Sequence, residues 1–187
     1  MTSEMDFLSL ATKRKTVFEF DKQMPSEAAI RSILDAGRWA PSSLNLQPWS
    51  FIIVKKPEVI SKIMEICRYG FFHNDPPVII AIVSEPRYEK HKGIIRGKMK
   101  ELTEYHKYLD ASMPALSMLF EATSLGIGSC LLSPFQKKAN RILGVPKGKS
   151  VFLLVGLGFE KKRAFRRDRE RNSLSSIVFR EKYGRKD

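Results

Sequence analysis

Cysteine and histidine are scarce in this chain, and their scarcity removes several classes of protein. There are two cysteines and three histidines in 187 residues. Cys67 and Cys130 show no Cys-x-x-Cys spacing and no neighbouring histidine, which excludes a disulfide framework and a structural zinc site. Both lie in apolar stretches, where a thiol is expected to be buried and inert. His73, His91 and His106 are scattered, with no partner at catalytic or metal-ligand spacing. No Ser-His-Asp order and no paired-carboxylate signal is present, so no catalytic side chain and no metal are expected. Apolar runs fall well short of the roughly 20 residues that a membrane span needs. The opening Met1-Thr2-Ser3-Glu4-Met5-Asp6 is acidic where a signal peptide would be basic, so a cytoplasmic location without membrane attachment is expected. Acidic residues are also few, 20 against 33 basic ones, for a net charge of +13. That balance calls for anionic partners: phosphates, nucleotides, nucleic acid or a membrane surface. The excess is uneven, because residues 160–187 alone hold 11 basic and 5 acidic side chains.

What is present fits one domain spanning 1–187 with a sizeable core. A short helix is expected at Asp6–Ala11. A second opens at Pro25-Ser26-Glu27, with Ile30, Ile33, Leu34 and Gly37 on one face, and stops before Pro41. Trp49–Val54 reads as a strand whose unbroken apolar run suggests burial on both faces. Pro57 starts a helix, and Val78–Val83 follows Asp75-Pro76-Pro77 as a second buried strand. Arg87–Lys107, with 7 basic and 3 acidic residues, is either a solvated helix or a lid. Asp110–Leu125 carries Met113, Leu116, Met118, Leu119, Phe120 and Leu125 almost all round, so it should be buried on every side, at a subunit interface. Asp110 reads as its cap. Strands at Gly126–Leu132 and Val151–Val155 flank a helix at Gln136–Leu143. Alternating strands and helices mean α/β or α+β with one sheet.

Four stretches could carry chemistry. Arg14-Lys15-Thr16 follows the first helix; arginine grips phosphate with a two-pronged fork. Pro41-Ser42-Ser43-Leu44-Asn45-Leu46-Gln47-Pro48-Trp49 is unusually dense in hydrogen-bonding groups, where an ordinary turn needs one or two. Gly126-Ile127-Gly128 leads from helix into strand, the reverse of a dinucleotide fingerprint, which excludes a Rossmann site. The basic stretch from Lys161 to Leu174 reads by itself as a solvated face.

Taken together and in order, these motifs resemble the nitroreductase family of FMN-dependent oxidoreductases, from Asp6 to Gly184. The most specific match is Pro-Ser-x-x-Asn-x-Gln-Pro-Trp at 41–49. The resemblance implies an α+β fold, a central, mainly antiparallel sheet flanked by helices, and an intertwined homodimer with FMN in two interfacial clefts. It implies that Arg14, Lys15 and Thr16 contact the cofactor. It also implies that Pro41, Ser42 and Ser43 line it from the other subunit, with Asn45 and Gln47 either as further polar contacts or as buried bonds that shape the loop, and that backbone N–H groups at Leu132 and Ser133 approach its ring. Arg171, with Arg169 or Arg167 as alternatives, would hold the phosphate. Phe18, Pro134, Asn172 and Ser173 depart from the family pattern; Pro134 has no N–H to offer the ring. The implied reaction is ping-pong transfer from NADH or NADPH to a nitroaromatic, quinone or other small electron-poor acceptor. The alternatives are the same fold with other flavin chemistry, such as dehalogenation or flavin destruction, and a basic nucleic-acid-binding module. The second lacks any nucleic-acid motif and splits its basic residues between two regions.

Overall fold

The computed structural model describes residues 6–67, 75–85, 99–162, 164 and 169–185, with the backbone alone over 99–105. Helix starts fall where side chains can satisfy the first amides. Asp6 accepts Leu8 N–H at 2.9 Å and Ser9 N–H at 3.2 Å to open α1 (Phe7–Lys13). Ser26 Oγ accepts Ala29 N–H at 3.2 Å to open α2 (Glu27–Arg38), which is the preferred capping chemistry. Pro57 stands at the first turn of α3 (Pro57–Met64), where its missing N–H costs nothing. The remaining helices are α4 (Met99–Ser124), α5 (Gln136–Ile142) and the short α6 (Leu174–Ile177).

The strands β1 (Trp49–Val54), β2 (Val78–Ser84), β3 (Gly128–Leu132) and β4 (Ser150–Gly158) form one sheet in the order β1-β2-β4-β3, antiparallel at every pair. This decides the class as α+β. One face packs against α2 and α4 through Ile33, Ile80, Ile82, Met118 and Phe152. The other packs against α3 and α5 through Ile63, Ile79, Leu154 and Ala139. With helices on both sides, β2 is buried at all seven positions, as its unbroken apolar run required.

Two expectations from the sequence do not hold within one chain. β1 is an edge strand, and Ile53 is 43% exposed; its apolar run does not mean burial on both faces here. α4 buries Ala111, Ala115, Met118, Leu119 and Ala122 but leaves Met113 (39%), Leu116 (47%) and Leu125 (44%) exposed. Small alanines let the helix lie close on the core with Met118 and Leu119, and Met113, Leu116 and Leu125 are left on the solvent side.

Glycine settles two junctions. Gly126 takes φ +71° just past α4, and the N–H of Ile127 returns to the carbonyl of Ala122 at 2.8 Å, the usual glycine-terminated helix end. A Cβ on Gly128 would lie 2.8 Å from Val17 Cγ2 and 3.0 Å from Gly158 O, so only glycine lets the chain after α1 dock on β3. That docking is the parallel bridge Thr16–Ser129. Among the described residues no helix is long and apolar enough to cross a membrane.

Candidate functional site

Arg14 lies one residue beyond α1, half-buried. Its guanidinium is held below the ordinary arginine range, first by burial and then by repulsion from Arg169 and Arg171. Arg169 reaches this place by donating from Nη1 to the carbonyl of Thr12 at 2.7 Å. Arg171 Nη1 donates to the carbonyl of Glu170 at 2.7 Å. Among the described residues no carboxylate pairs with any of the three. Arg14 is half-buried while Arg169 and Arg171 are exposed, so the three guanidinium groups repel one another only modestly through solvent, but their forked donors suit a phosphate. The chemistry of this donor set therefore fits a phosphate-bearing cofactor. Arg167 lies outside the described residues.

Lys15 behaves differently: its ammonium pairs with Glu160. A small cavity of about 140 Å³ lies there, lined by Lys13, Lys15, Thr123, Gly126, Gly128 and Glu160. Thr16 is exposed beside Ser129. The Ser129 hydroxyl is fully buried and has no hydrogen-bond partner among the described residues, an uncommon condition for a buried polar atom.

The loop at 41–49 leaves its side chains accessible while both its ends enter the core, Ala40 at 6% and Trp49 at 7% exposure. Within it Leu44 (φ 52°), Asn45 (φ 52°) and Gln47 (φ 47°) are left-handed, a conformation non-glycine residues adopt at a cost. Ser42 Oγ accepts Gln47 N–H at 2.9 Å, and Gln47 Nε2 donates to Asn45 Oδ1 at 3.2 Å. Asn45 and Gln47 thus bond each other and shape the loop. The exit is held by Glu85 N–H donating to Pro48 O at 2.8 Å. Glu85 is itself buried and paired with Lys149 at 2.7 Å.

Ser43 N–H donates to Asp110 Oδ1 at 3.2 Å. Asp110 lies inside α4 and is 4% exposed; it is not a cap, because α4 already begins at Met99. The helical reading of the sequence missed its role. The available signal was a single acid at the start of the apolar stretch Leu109–Phe120, four residues before Pro114, which has no N–H to give the Asp110 carbonyl.

Leu132 sits 3% exposed in the core, so only its main chain can face a ligand. Ser133 is half-buried, and Pro134 is buried and bridged to Cys67, with Phe135 N–H donating to Ile66 O at 3.0 Å. Cys130 is buried, as expected, and burial pushes its thiol far above the ordinary range. Cys67 is half-buried and is pushed up to about 11, chiefly by burial. Of the histidines only His106 falls among the described residues, half-buried. The region 87–107 lies outside them up to residue 98 and is helical from Met99. Among the described residues no group of acid, histidine and cysteine side chains could hold a metal.

One chain does not bring all these residues to one place. The arginine end of α1 lies beside Thr123, while the 41–49 loop is tied to Asp110. The 13 residues from 110 to 123 correspond to about 20 Å along a helix.

Fold and site together define an α+β protein whose antiparallel sheet carries a phosphate-suited arginine cluster and, apart from it, a strained Pro-Ser loop. The model of the nitroreductase family matches residues 11–85 and 67–159. The chain belongs to that family and is an oxidoreductase. It is 28% identical over 172 residues to a Methanothermobacter thermautotrophicus protein named "Putative NADH dehydrogenase/NAD(P)H nitroreductase", covering 89% of this chain and 83% of that one. It is 25% identical over 202 residues to human iodotyrosine deiodinase 1, covering 92% and 68%. Among solved structures, a nitroreductase family protein of Clostridium difficile 630 superposes with a TM-score of 0.77 at 24% identity, covering 95% and 99%. An FMN-dependent nitroreductase of Clostridium difficile R20291 does so with 0.67 at 25% identity, covering 86% and 92%.

Proposed function

We propose that the whole chain, 1–187, acts as one domain of a homodimeric FMN-dependent oxidoreductase. It would pass electrons from NADH or NADPH to an electron-poor acceptor such as a nitroaromatic or a quinone. The observation that carries this reading is that Arg169, anchored on the carbonyl of Thr12 at 2.7 Å, and Arg171 stand close enough to Arg14 to repel it, with no carboxylate paired to any of the three among the described residues. FMN is the phosphate-bearing group named for a similar solved structure.

Bound FMN supplies the hydride and electron chemistry. The arginines neutralise its phosphate. With FMN bound, the N–H of Ser133 would offer the ring a hydrogen-bond donor, with Leu132 contributing main chain only. Thr16 offers a hydroxyl, and Lys15 acts through its pair with Glu160. No side chain serves as general acid or base. The nicotinamide and the acceptor take the same place in turn, in a ping-pong sequence.

The same separation supports a dimer. The 41–49 loop of one subunit, with Pro41, Ser42, Ser43, Asn45 and Gln47, completes the site begun by the arginines of the other. The exposed apolar side chains of α4 support this, as do Leu174 (75%), Ile177 (55%) and Val178 (54%) of the tail. Exposed large apolar side chains in this number favour an interaction face.

Purified protein should be yellow and release FMN on denaturation, identified by mass spectrometry, and it should sediment as a dimer. Colourless protein indifferent to added FMN would overturn the reading. The deiodinase relatives favour a second reading, reductive deiodination. Assaying iodotyrosine beside quinone and nitroaromatic acceptors separates the two.

A further inference from the structure

We infer that Asp110 is a positioning residue: its buried carboxylate holds the left-handed loop 43–47 in the shape that meets the cofactor. Three non-glycine residues of four consecutive positions, Leu44 to Gln47, have φ between 47° and 52°. Each of these conformations is uphill, and such a run persists only where surrounding groups over-determine it. Ala40 and Trp49 pin the ends in the core. Ser42 Oγ and the Asn45 and Gln47 side chains brace the loop against itself. None of those bonds fixes the turn relative to the sheet and helices. The bond from Ser43 N–H to Asp110 Oδ1, 3.2 Å, does so. It joins the first residue of the turn Ser43–Asn45 to a rigid helix through a carboxylate only 4% exposed. A carboxylate acceptor makes this bond stronger than a neutral one. Asp110 touches neither cofactor nor substrate in this account; it acts through Ser43.

The functional consequence rests on the FMN reading. Two measurements test it on the full-length protein: amide hydrogen exchange as purified, and the FMN dissociation constant. Asp110→Ala removes the acceptor. Ser43→Pro removes the donated N–H itself, and is compared with Ser43→Ala, which keeps it. Proline is compatible there, because Ser42 is extended (φ −146°, ψ 159°), the conformation a residue before proline prefers. Asp110→Asn keeps an acceptor oxygen. Exchange across 43–47 should rise in Asp110→Ala and Ser43→Pro while β2 and β4 stay protected. FMN binding should weaken about ten-fold in each, the worth of one hydrogen bond to a charged acceptor. Asp110→Asn should stay within about three-fold of wild type, since the bond survives with a neutral acceptor. The double variant Asp110→Ala/Ser43→Pro should be no worse than Asp110→Ala alone, because Ser43→Pro then removes a bond already lost.

Unchanged exchange in the loop, additive losses, or an Asp110→Asn variant as impaired as Asp110→Ala would each overturn the inference. Should Asp110→Ala fail to fold, Ser43→Pro and Asp110→Asn carry the same comparison. Wild-type protein that takes up no FMN overturns the flavin reading and the positioning role together. Wild-type FMN binding with unaltered loop exchange in the variants overturns the positioning role alone.

Discussion

Across 157 residues of sequence, the guanidinium of Arg169 donates to the main-chain carbonyl of Thr12 at 2.7 Å. The contact brings the basic tail to the end of α1 and sets Arg169 and Arg171 against Arg14. Arginines repelling one another in one place are stabilised by whatever anion occupies it, and that sets the first expectation.

Replacing Arg14 or Arg171 by alanine should weaken FMN binding roughly 10- to 100-fold, the range for losing a hydrogen bond to a charged group of about 1.5–3 kcal/mol. Unliganded stability should hold or rise, because repulsion is relieved. Flavin fluorescence titration and thermal melts of the unliganded variants check both halves. An alanine variant that binds FMN as wild type does would remove that arginine from the site.

Pro134 offers no N–H at the turn after β3. Pro134→Ala should restore one and raise the reduction potential of bound FMN by about 30–60 mV, taking one charge-assisted hydrogen bond at 1.5–3 kcal/mol and 30 mV as 1.4 kcal/mol for two electrons. Potentiometric titration reads the shift; an unchanged or lower potential counts against a donor role for this turn.

Leu116 is 47% exposed on α4. Leu116→Glu should leave the fold within about 1 kcal/mol of wild type, as for an exposed substitution. It should nevertheless convert a dimer to monomers and abolish FMN binding. Sedimentation velocity distinguishes this from simple unfolding, and a variant that remains dimeric would show that α4 does not form the interface.

Gly158 has no room for a side chain: a Cβ there would stand 2.5 Å from Pro77 Cδ and 2.9 Å from Phe20 Cδ1. The proline ring is rigid, so Gly158→Ala should cost about 2 kcal/mol, visible as a fall in Tm of roughly 4–8 °C. An unchanged Tm would mean that the backbone yields there.

Cys67, with its thiol pushed up to about 11 from 9.0, should alkylate about 100-fold more slowly at pH 8 than an unperturbed thiol, since only the thiolate reacts. The sign for stability follows from proton binding. Between about 9 and 11 the folded thiol keeps a proton that the unfolded one has lost, so its stabilising contribution is complete below 9 and fades as pH rises towards 11. Cys130 is shifted in the same direction. Iodoacetamide kinetics on the wild type and Cys67→Ser measure the first effect, and denaturant melts at pH 8 and pH 10 the second. Rapid labelling at pH 8 would contradict the burial of Cys67.

Local chemistry was enough to determine the helix starts at Asp6, Ser26 and Pro57, the buried strand β2 and the polar loop 41–49, because capping, periodicity and turn preference act over a few residues. The family too was legible, through the order of its motifs. Tertiary structure alone decided which groups share a neighbourhood. It gave Lys15 to Glu160, brought Arg169 and Arg171 to Arg14, and left β1 at a sheet edge with Ile53 exposed. It also turned Asp110 from an expected helix cap into a buried acceptor for the loop. These relationships join residues tens to more than a hundred positions apart, and no local preference encodes them. They exist only once the sheet and α4 are packed, when burial makes each charge find a partner or leaves it waiting for one.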